Sequence, residues 1–473
     1  MTATLRPALR LDPDRLLPAD PTTRPIAREL YAAVRDLPII SPHGHVPAEW
    51  LAQDTPFRDP TSLLVTPDHY LTRLLHANGV RLSDLGVGEQ LSPEGSREAF
   101  RIVCANWAVF RGTPVKLWFE SVLGEVFGAT DAPAASTADT LYDLIAERLA
   151  TPGFRPRALY ERFGIELLAT TDDPCDDLAA HRALAADPTW HGRVVPTFRP
   201  DRYLEPARAE WVADVARLGE AADVDTGSYA GWVEAVRRRR LFFREHGAVS
   251  SDHSHADARM EPLEAREAEE LYGRAIAGRI TPPEADRLRR GLMLEMARLA
   301  AQDGLVMTLH PAVHRNHHTP SWERFGADVG ADIPRAVEFT DALGPVLAEL
   351  GTEPGFQLVL FTIDETTYSR ELGPLAGFYP SVYVGAPWWF IDAPDAMARY
   401  RGAVTESAGF TKTSGFIDDT RAFLSIPARH DAARRADSGY LARLVAEHRL
   451  SLDEALEVAH QIVGDNPRRA FRL

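Results

Sequence analysis

Lysine is almost absent from this chain: of 52 basic residues only Lys116 and Lys412 are lysines. Schiff-base and pyridoxal-phosphate chemistry both require an active-site lysine, so few candidates exist for either. Cysteine is equally scarce. Cys104 and Cys175 stand in unrelated contexts, which argues against a disulfide framework or a thiolate metal site and points to a reducing, cytoplasmic setting. No run approaches the length of a membrane span, and residues 1–25, broken by Pro and Asp, lack the apolar h-region of a signal peptide. Positive charge is in deficit as well. With 68 acidic residues the net charge is −16, which argues against a nucleic-acid partner and against an anionic membrane surface. The same field repels anionic small molecules, so an anionic ligand would need Arg or His groups held in a cleft.

What is present is an alternation of short β-rich runs with longer helical patterns, over 473 residues that are 45% apolar. Eight runs stand out: Leu37–Ser41, Ile165–Thr170, Val194–Phe198, Ala248–Ser251, Leu305–Leu309, Gln357–Thr362, Ser381–Val384 and Thr413–Ile417. With helices between them, such as Arg287–Asp303, Arg335–Leu350 and Pro394–Ala408, they predict an α/β fold of the closed parallel (β/α)8 kind, a TIM barrel. The gap between the first and second runs is too long for one crossover. It reads as a helical insertion at about 48–160, with helices near Asp68–Gly79, Ser96–Phe110, Val115–Phe127 and Thr137–Ala150. The expected organisation is an N-terminal segment, 1–36, and a catalytic barrel, 37–473, carrying that insertion on its top face. Pro200–Gly247 reads as a second helical excursion, and helices at Asp437–His448 and Ser451–Val463 close the chain.

Polar, ionisable groups follow nearly every run. The first is followed by His43-Gly44-His45; on an extended strand residues i and i+2 face the same way, so both imidazoles can bind one ion. The second ends at Asp172-Asp173, the third at Arg199, the fourth at Asp252-His253, and the fifth at His310 with Arg315 and Asn316 beyond. Trp388 and Trp389 follow the seventh run; Asp418, Asp419 and Arg421 follow the eighth. In a barrel these loops converge at one face. Plainer readings stand beside these: Asp172 and Asp173 as helix caps, Arg199 as a surface ion-pair partner, the tryptophan pair as core. Arg237–Arg240 reads as a solvated helix face, and His69 and His76 as helix-surface or structural residues.

In this order, the motifs resemble the uronate isomerase family of the amidohydrolase superfamily. The matching pieces run from HGH at His43–His45, through DHY at Asp68–Tyr70 and the GTPVKLWFE stretch, to TTDDP at Thr170–Pro174. They continue with TFRPD at Thr197–Asp201, SDH at Ser251–His253 and the His310, Arg315, Asn316 element. The last are WWF-x-D at Trp388–Asp392 and D-x-R-x-F-L-S at Asp419–Ser425. The resemblance implies one divalent ion, zinc, held by His43, His45 and Asp419, with His310 a further ligand or a support for one. It makes Tyr70 the family's tyrosine and Arg421 its eighth-loop arginine.

The implied reaction is aldose–ketose isomerisation of a hexuronic acid by proton transfer between C2 and C1 through a cis-enediol. Asp419 with Tyr70 would move the proton, and Arg199, Arg315 and Arg421 would anchor the carboxylate. Trp388 and Trp389 would wall the pocket, with Asp172 and His253 on the substrate side. A homo-oligomer is expected. The alternative on the same fold is a mononuclear metal-dependent hydrolase acting on a carboxylated substrate. Lys116, in the insertion, and Lys412, opening the eighth run, are both poorly placed for the carbamylated lysine of a two-metal site.

Overall fold

The structure, a computed structural model, describes residues 7–473. Seven short parallel strands form two sheets. β1 (Ile39–Ser41), β2 (Ile165–Ala169) and β3 (Arg193–Val195) make the first, in that order. β4 (Ser250–His253), β5 (Val306–Leu309), β8 (Leu358–Leu360) and β9 (Val382–Val384) make the second. Between β5 and β8 the two-residue strands β6 (Val313–His314) and β7 (Ile333–Pro334) pair antiparallel and close off the loop that carries Arg315. β1, β5, β8 and β9 are buried at every residue, which is why they read as near-continuous apolar runs, whereas β2 exposes Glu166 and β3 exposes Arg193. Single bridges extend the pairing: Phe198 lies between Asp172 and Ser251, and Val384 pairs with Thr413.

Three expectations change here. The eighth run, Thr413–Ile417, makes one bridge and no strand, because Gly415 at φ +73° turns the chain out of the extended conformation. The fourth strand lies two residues further on than its run, so Asp252 and His253 are inside β4 and face opposite ways. The helix expected at Arg335–Leu350 begins only at Gly344, with Pro345 in its first turn. Residues before it are held as a loop: Glu371 accepts from the amides of Phe339 and Thr340, and Glu338 from those of Asp341 and Ala342.

Other helices follow their local signals. The helix Pro282–Asp303 has a Thr281–Glu284 capping box, Pro in its first turn, and Gly304 at φ +79° as its C-cap. Helix Pro394–Ala408 has the expected bounds. Residues 48–162 are built of short helices joined by loops, and their apolar faces share one core with Ile39, Ile165 and Leu168. Of the N-terminal segment 1–36, residues 1–6 lie outside those described; the helix Thr23–Val34 packs its Ala27, Leu30 and Val34 face on Leu441 and Ala442 of helix Ile426–Ala446.

The run Arg237–Arg240 is a solvated face only in part. Arg237 and Arg238 pair with Glu234 at the surface, whereas Arg240 is fully buried on Asp303, with bonds of 2.6 and 3.0 Å. Arg239, also buried, donates to the carbonyls of Pro174 and Asp176. One helix turn separates these roles: the face that meets the sheet takes two of the four guanidinium groups inward.

Candidate active site

A cleft opens where the loops after the strands meet. His43 and His45 reach it from the irregular stretch just beyond β1 rather than from the strand itself. That stretch is fixed from both sides: the His45 amide donates to Thr420 O at 3.1 Å, and the Thr171 hydroxyl to Gly44 O at 2.8 Å. The first and last motifs of the chain are thereby held together. His45 Nε2 lies 3.0 Å and His43 Nε2 3.3 Å from Asp419 Oδ1. Asp419 sits at φ +40°, an uncommon backbone for a non-glycine residue, which aims its carboxylate at the two rings.

His310 completes the cluster. Its ring stacks on His43 with centroids 4.8 Å apart, and its Nδ1 lies 2.6 Å from Asp252 Oδ1. His43, His310 and Asp419 each offer a ligand atom within 4.8 Å of the others. Asp419 Oδ1 and His310 Nε2 are buried and make no hydrogen bond, which leaves both atoms open to an ion. Ligands about 2.0–2.2 Å from one tetrahedral zinc stand roughly 3.4 Å apart, close to the separations at Asp419. The donor set fits a divalent ion of the zinc class. The Asp252 bond to Nδ1 turns Nε2 of His310 toward the others, as carboxylates behind ligating imidazoles do.

Burial pushes the carboxyl of Asp252 up, but the opposing charges of His310, His43 and Arg199 outweigh it and hold it well below the usual range. Asp419 behaves likewise, with His43 and His45 outweighing burial. Both are therefore carboxylates at neutral pH. For His45, burial prevails and favours the neutral ring, the form a metal needs.

On the opposite wall, Asp68 caps the helix His69–Ala77, its side chain accepting from the Tyr70 and Leu71 amides. That cap places His69 and Tyr70 on the first turn, facing the cleft. Tyr70 donates to Asp392 Oδ2 at 2.8 Å, and Arg429 Nη1 donates to the same oxygen at 3.0 Å. Burial, with the nearby Asp392 charge, raises the Tyr70 hydroxyl well above its ordinary range. Three arginines also line the cleft. Arg199 pairs with Asp201 at 2.9 Å and lies 3.5 Å from Asp252. Arg315 donates to Asp332 and lies over the Trp389 ring, 5.1 Å from its centroid; Arg421 holds Asp328 at 2.7 Å. Trp388 packs edge-on against His310 at 4.7 Å, so both tryptophans are wall residues and buried at once.

Two residues expected on the substrate side are elsewhere. His253 points away from Asp252 by strand alternation and is buried beside Asp201 and His255. Asp172 accepts from the Thr170 hydroxyl at 2.6 Å and the Thr197 amide at 3.1 Å, and burial pushes its carboxyl up to about 7. Neither lines the cleft. Nor is the aspartate pair a helix cap, since Asp173 closes a turn on the Cys175 amide and the next helix starts at Ala179. His69, read as a helix-surface or structural residue, instead lines the cleft with Nε2 unpartnered, and burial beside Arg421 drops its pKa to about 3. Asp328, Asp392, Arg429 and Phe361 are cleft residues that motif order does not single out. For Asp392 a signal existed in the WWF-x-D stretch.

The family model described as glucuronate isomerase matches residues 22–471. A uronate isomerase of Cutibacterium acnes is 54% identical, over 99% of each chain. The crystal structure of a glucuronate isomerase from Caulobacter crescentus superposes with a TM-score of 0.96 at 47% identity, covering 98% of this chain and 97% of that one. A uronate isomerase structure from Thermotoga maritima gives 0.91 at 26% identity, covering 98% and 99%. With its cleft built from loops at both ends of the sequence, the chain belongs to the glucuronate isomerase family.

Proposed function

We propose that this protein interconverts the aldose and ketose forms of a hexuronic acid: D-glucuronate with D-fructuronate, D-galacturonate with D-tagaturonate, or both. The observation that carries the reading is a cleft with an imidazole–carboxylate cluster at its buried end and four arginines around it, in a chain of this family. The two sheets are read as arcs of one (β/α)8 barrel, 37–473, bridged at Phe198 and Thr413, with the insertion at about 48–160 over its site and 1–36 as an N-terminal segment. His43, His45 and Asp419 are assigned to one divalent ion, zinc, with His310 as a further ligand; when bound, it would supply positive charge beside the substrate oxygens.

Arg315 and Arg421, the more exposed arginines, are assigned to the substrate carboxylate, where a bidentate pair fixes both position and direction. Arg199, pinned by two carboxylates, faces a hydroxyl oxygen further in. Asp419 takes the proton from C2, and the electron pair left behind forms the C1–C2 double bond of the enediol as O1 gains a proton. Tyr70, kept protonated by its buried site, gives O1 that proton and recovers one from O2, while Asp419 returns its proton to C1, giving the ketose. Trp388 and Trp389 hold the sugar face and exclude water. The protein is assigned to the cytoplasm as a homo-oligomer, acting on a small uronic acid and not on nucleic acid or membrane.

Incubation with D-glucuronate and with D-galacturonate in D2O, followed by NMR, tests this. Ketose carrying deuterium at C1, or exchange at C2 of the aldose, is the expected result. No turnover of either acid, with hydrolysis of a carboxylated amide or ester, would replace the isomerase by the hydrolase reading.

A further inference from the structure

On the face of β4 turned away from the cleft, a second set of metal-ligating side chains converges. Asp201, His253 and His255 each offer a ligand atom within 4.8 Å of the other two. Three local features bring them there. His253 ends β4 on the side opposite Asp252; His255 follows two residues later; and Asp201 opens the short turn Asp201–Leu204. The imidazoles are 1% and 5% exposed, and their rings lie nearly parallel with centroids 6.4 Å apart.

The hydrogen bonding of this cluster is incomplete in a specific way. Neither ring nitrogen of His253 has a partner, and neither does Nε2 of His255. A buried polar group left unpaired costs about 1–3 kcal/mol, and native interiors rarely accept it. His255 Nδ1 lies 2.5 Å from Glu205 Oε1, which fixes the N–H on that nitrogen. Burial is outweighed by Glu205 and Asp201, which raise the pKa of this ring, but in its neutral form Nε2 presents a lone pair to Asp201 Oδ1, 3.4 Å away. Two electron-rich atoms face each other across that gap, as they do around a cation, and the Glu205–His255 pair matches the carboxylate that orients a ligating imidazole.

We propose that Asp201, His253 and His255 hold a second divalent cation of the zinc class, oriented by Glu205 and separate from the ion of the cleft. Two nitrogens and one carboxylate oxygen suit such an ion, with water completing the tetrahedron. The competing arrangement, a doubly protonated His255 bridging Glu205 and Asp201, leaves both nitrogens of His253 unfilled. The nearby Arg240 does not fill them: its Nε and Nη2 are taken by the two oxygens of Asp303, and its Nη1 makes no hydrogen bond. Asp201 and Glu205 keep 23% and 30% side-chain exposure, which gives the ion a way in.

The site connects to the cleft through its own ligand. Asp201 also accepts from Arg199 Nε at 2.9 Å and from the Ser254 amide at 3.0 Å, and the Ser254 hydroxyl in turn receives Arg315 Nη2 at 3.1 Å. A cation on Asp201 would thus steady two of the four cleft arginines, Arg199 and Arg315, without touching substrate. The inference does not depend on which reaction the cleft performs.

Protein equilibrated with zinc and freed of loose metal by gel filtration is expected to hold two equivalents by plasma mass spectrometry. The His253→Gln/His255→Gln protein should keep one, and the His43→Gln/His45→Gln protein should keep the other. Anomalous diffraction at the zinc edge from wild-type crystals should show a peak among Asp201, His253 and His255, and this reads the site with no substitution at all. Absence of that peak from zinc-equilibrated crystals overturns the proposal whether or not the double variant folds. Two equivalents retained by a folded His253→Gln/His255→Gln protein would do the same.

Discussion

Replacing Gly385 by alanine should damage the site from a distance. Gly385 follows β9, and a Cβ there would lie 2.5 Å from Cδ1 of Phe361 and 2.7 Å from Cε1. Carbon atoms pack favourably at about 3.5–4.0 Å, so the ring must retreat by roughly 1 Å. It has little room to do so. Phe361 stacks on His310 with centroids 4.1 Å apart and planes 15° from parallel, and His310 stacks in turn on His43. The displacement therefore reaches two imidazoles of the metal cluster. Overpacking of this kind costs about 1–3 kcal/mol of stability. A shift of about 1 Å in a positioned catalytic group can cost on the order of 100-fold in rate. Urea unfolding and kcat/KM with D-glucuronate would read the two effects separately. Gly402→Ala is the control, because a Cβ at Gly402, inside helix Pro394–Ala408, meets nothing within 4 Å. Unchanged stability and unchanged kcat/KM in Gly385→Ala would refute the stacking argument.

Arg421→Met should leave the fold intact and lower kcat/KM by roughly 10- to 150-fold, the equivalent of about 1.5–3 kcal/mol for a hydrogen bond to a charged group; unaltered kinetics in a folded variant would remove this residue from substrate binding. Asp172 should govern a pH dependence of stability rather than binding. Its carboxyl, at about 7 in the folded protein, holds a proton that the unfolded chain releases near pH 4, so its contribution is whole below about pH 4 and gone above about pH 7. Asp172→Asn should therefore lose less stability than wild type between these limits in urea melts, with KM unchanged; parallel pH profiles would contradict this. Arg240→Met removes a fully buried guanidinium from the partly exposed Asp303 and should cost about 1.5–3 kcal/mol in the same melts, whereas Arg237→Met should cost almost nothing.

Much of the site was legible because its chemistry is concentrated just after short apolar runs. His43, His45, Asp419, Tyr70 and the three arginines all reach one cleft from motifs separated by most of the chain. What pattern could not supply was orientation. Asp252 and His253 are neighbours in sequence, but strand alternation sends one to the cleft and the other to the opposite face. The tyrosine's partner, Asp392, is 322 residues away, and only folding sets it between Tyr70 and Arg429. The eighth run looked like a strand because its residue types suit one, yet a single left-handed glycine, Gly415, interrupts it. Four consecutive arginines gave no sign that two would be buried, since charge patterning says nothing of which helix face meets the sheet.

The most direct measurement is made on one variant, Asp419→Asn, in which the side chain keeps its shape and loses its charge. Deuterium incorporation from D2O into D-glucuronate and its ketose should cease, and the protein should hold one equivalent of divalent metal fewer than wild type. Exchange at the wild-type rate in a folded Asp419→Asn protein, with its metal undiminished, would contradict the assignment of the cleft.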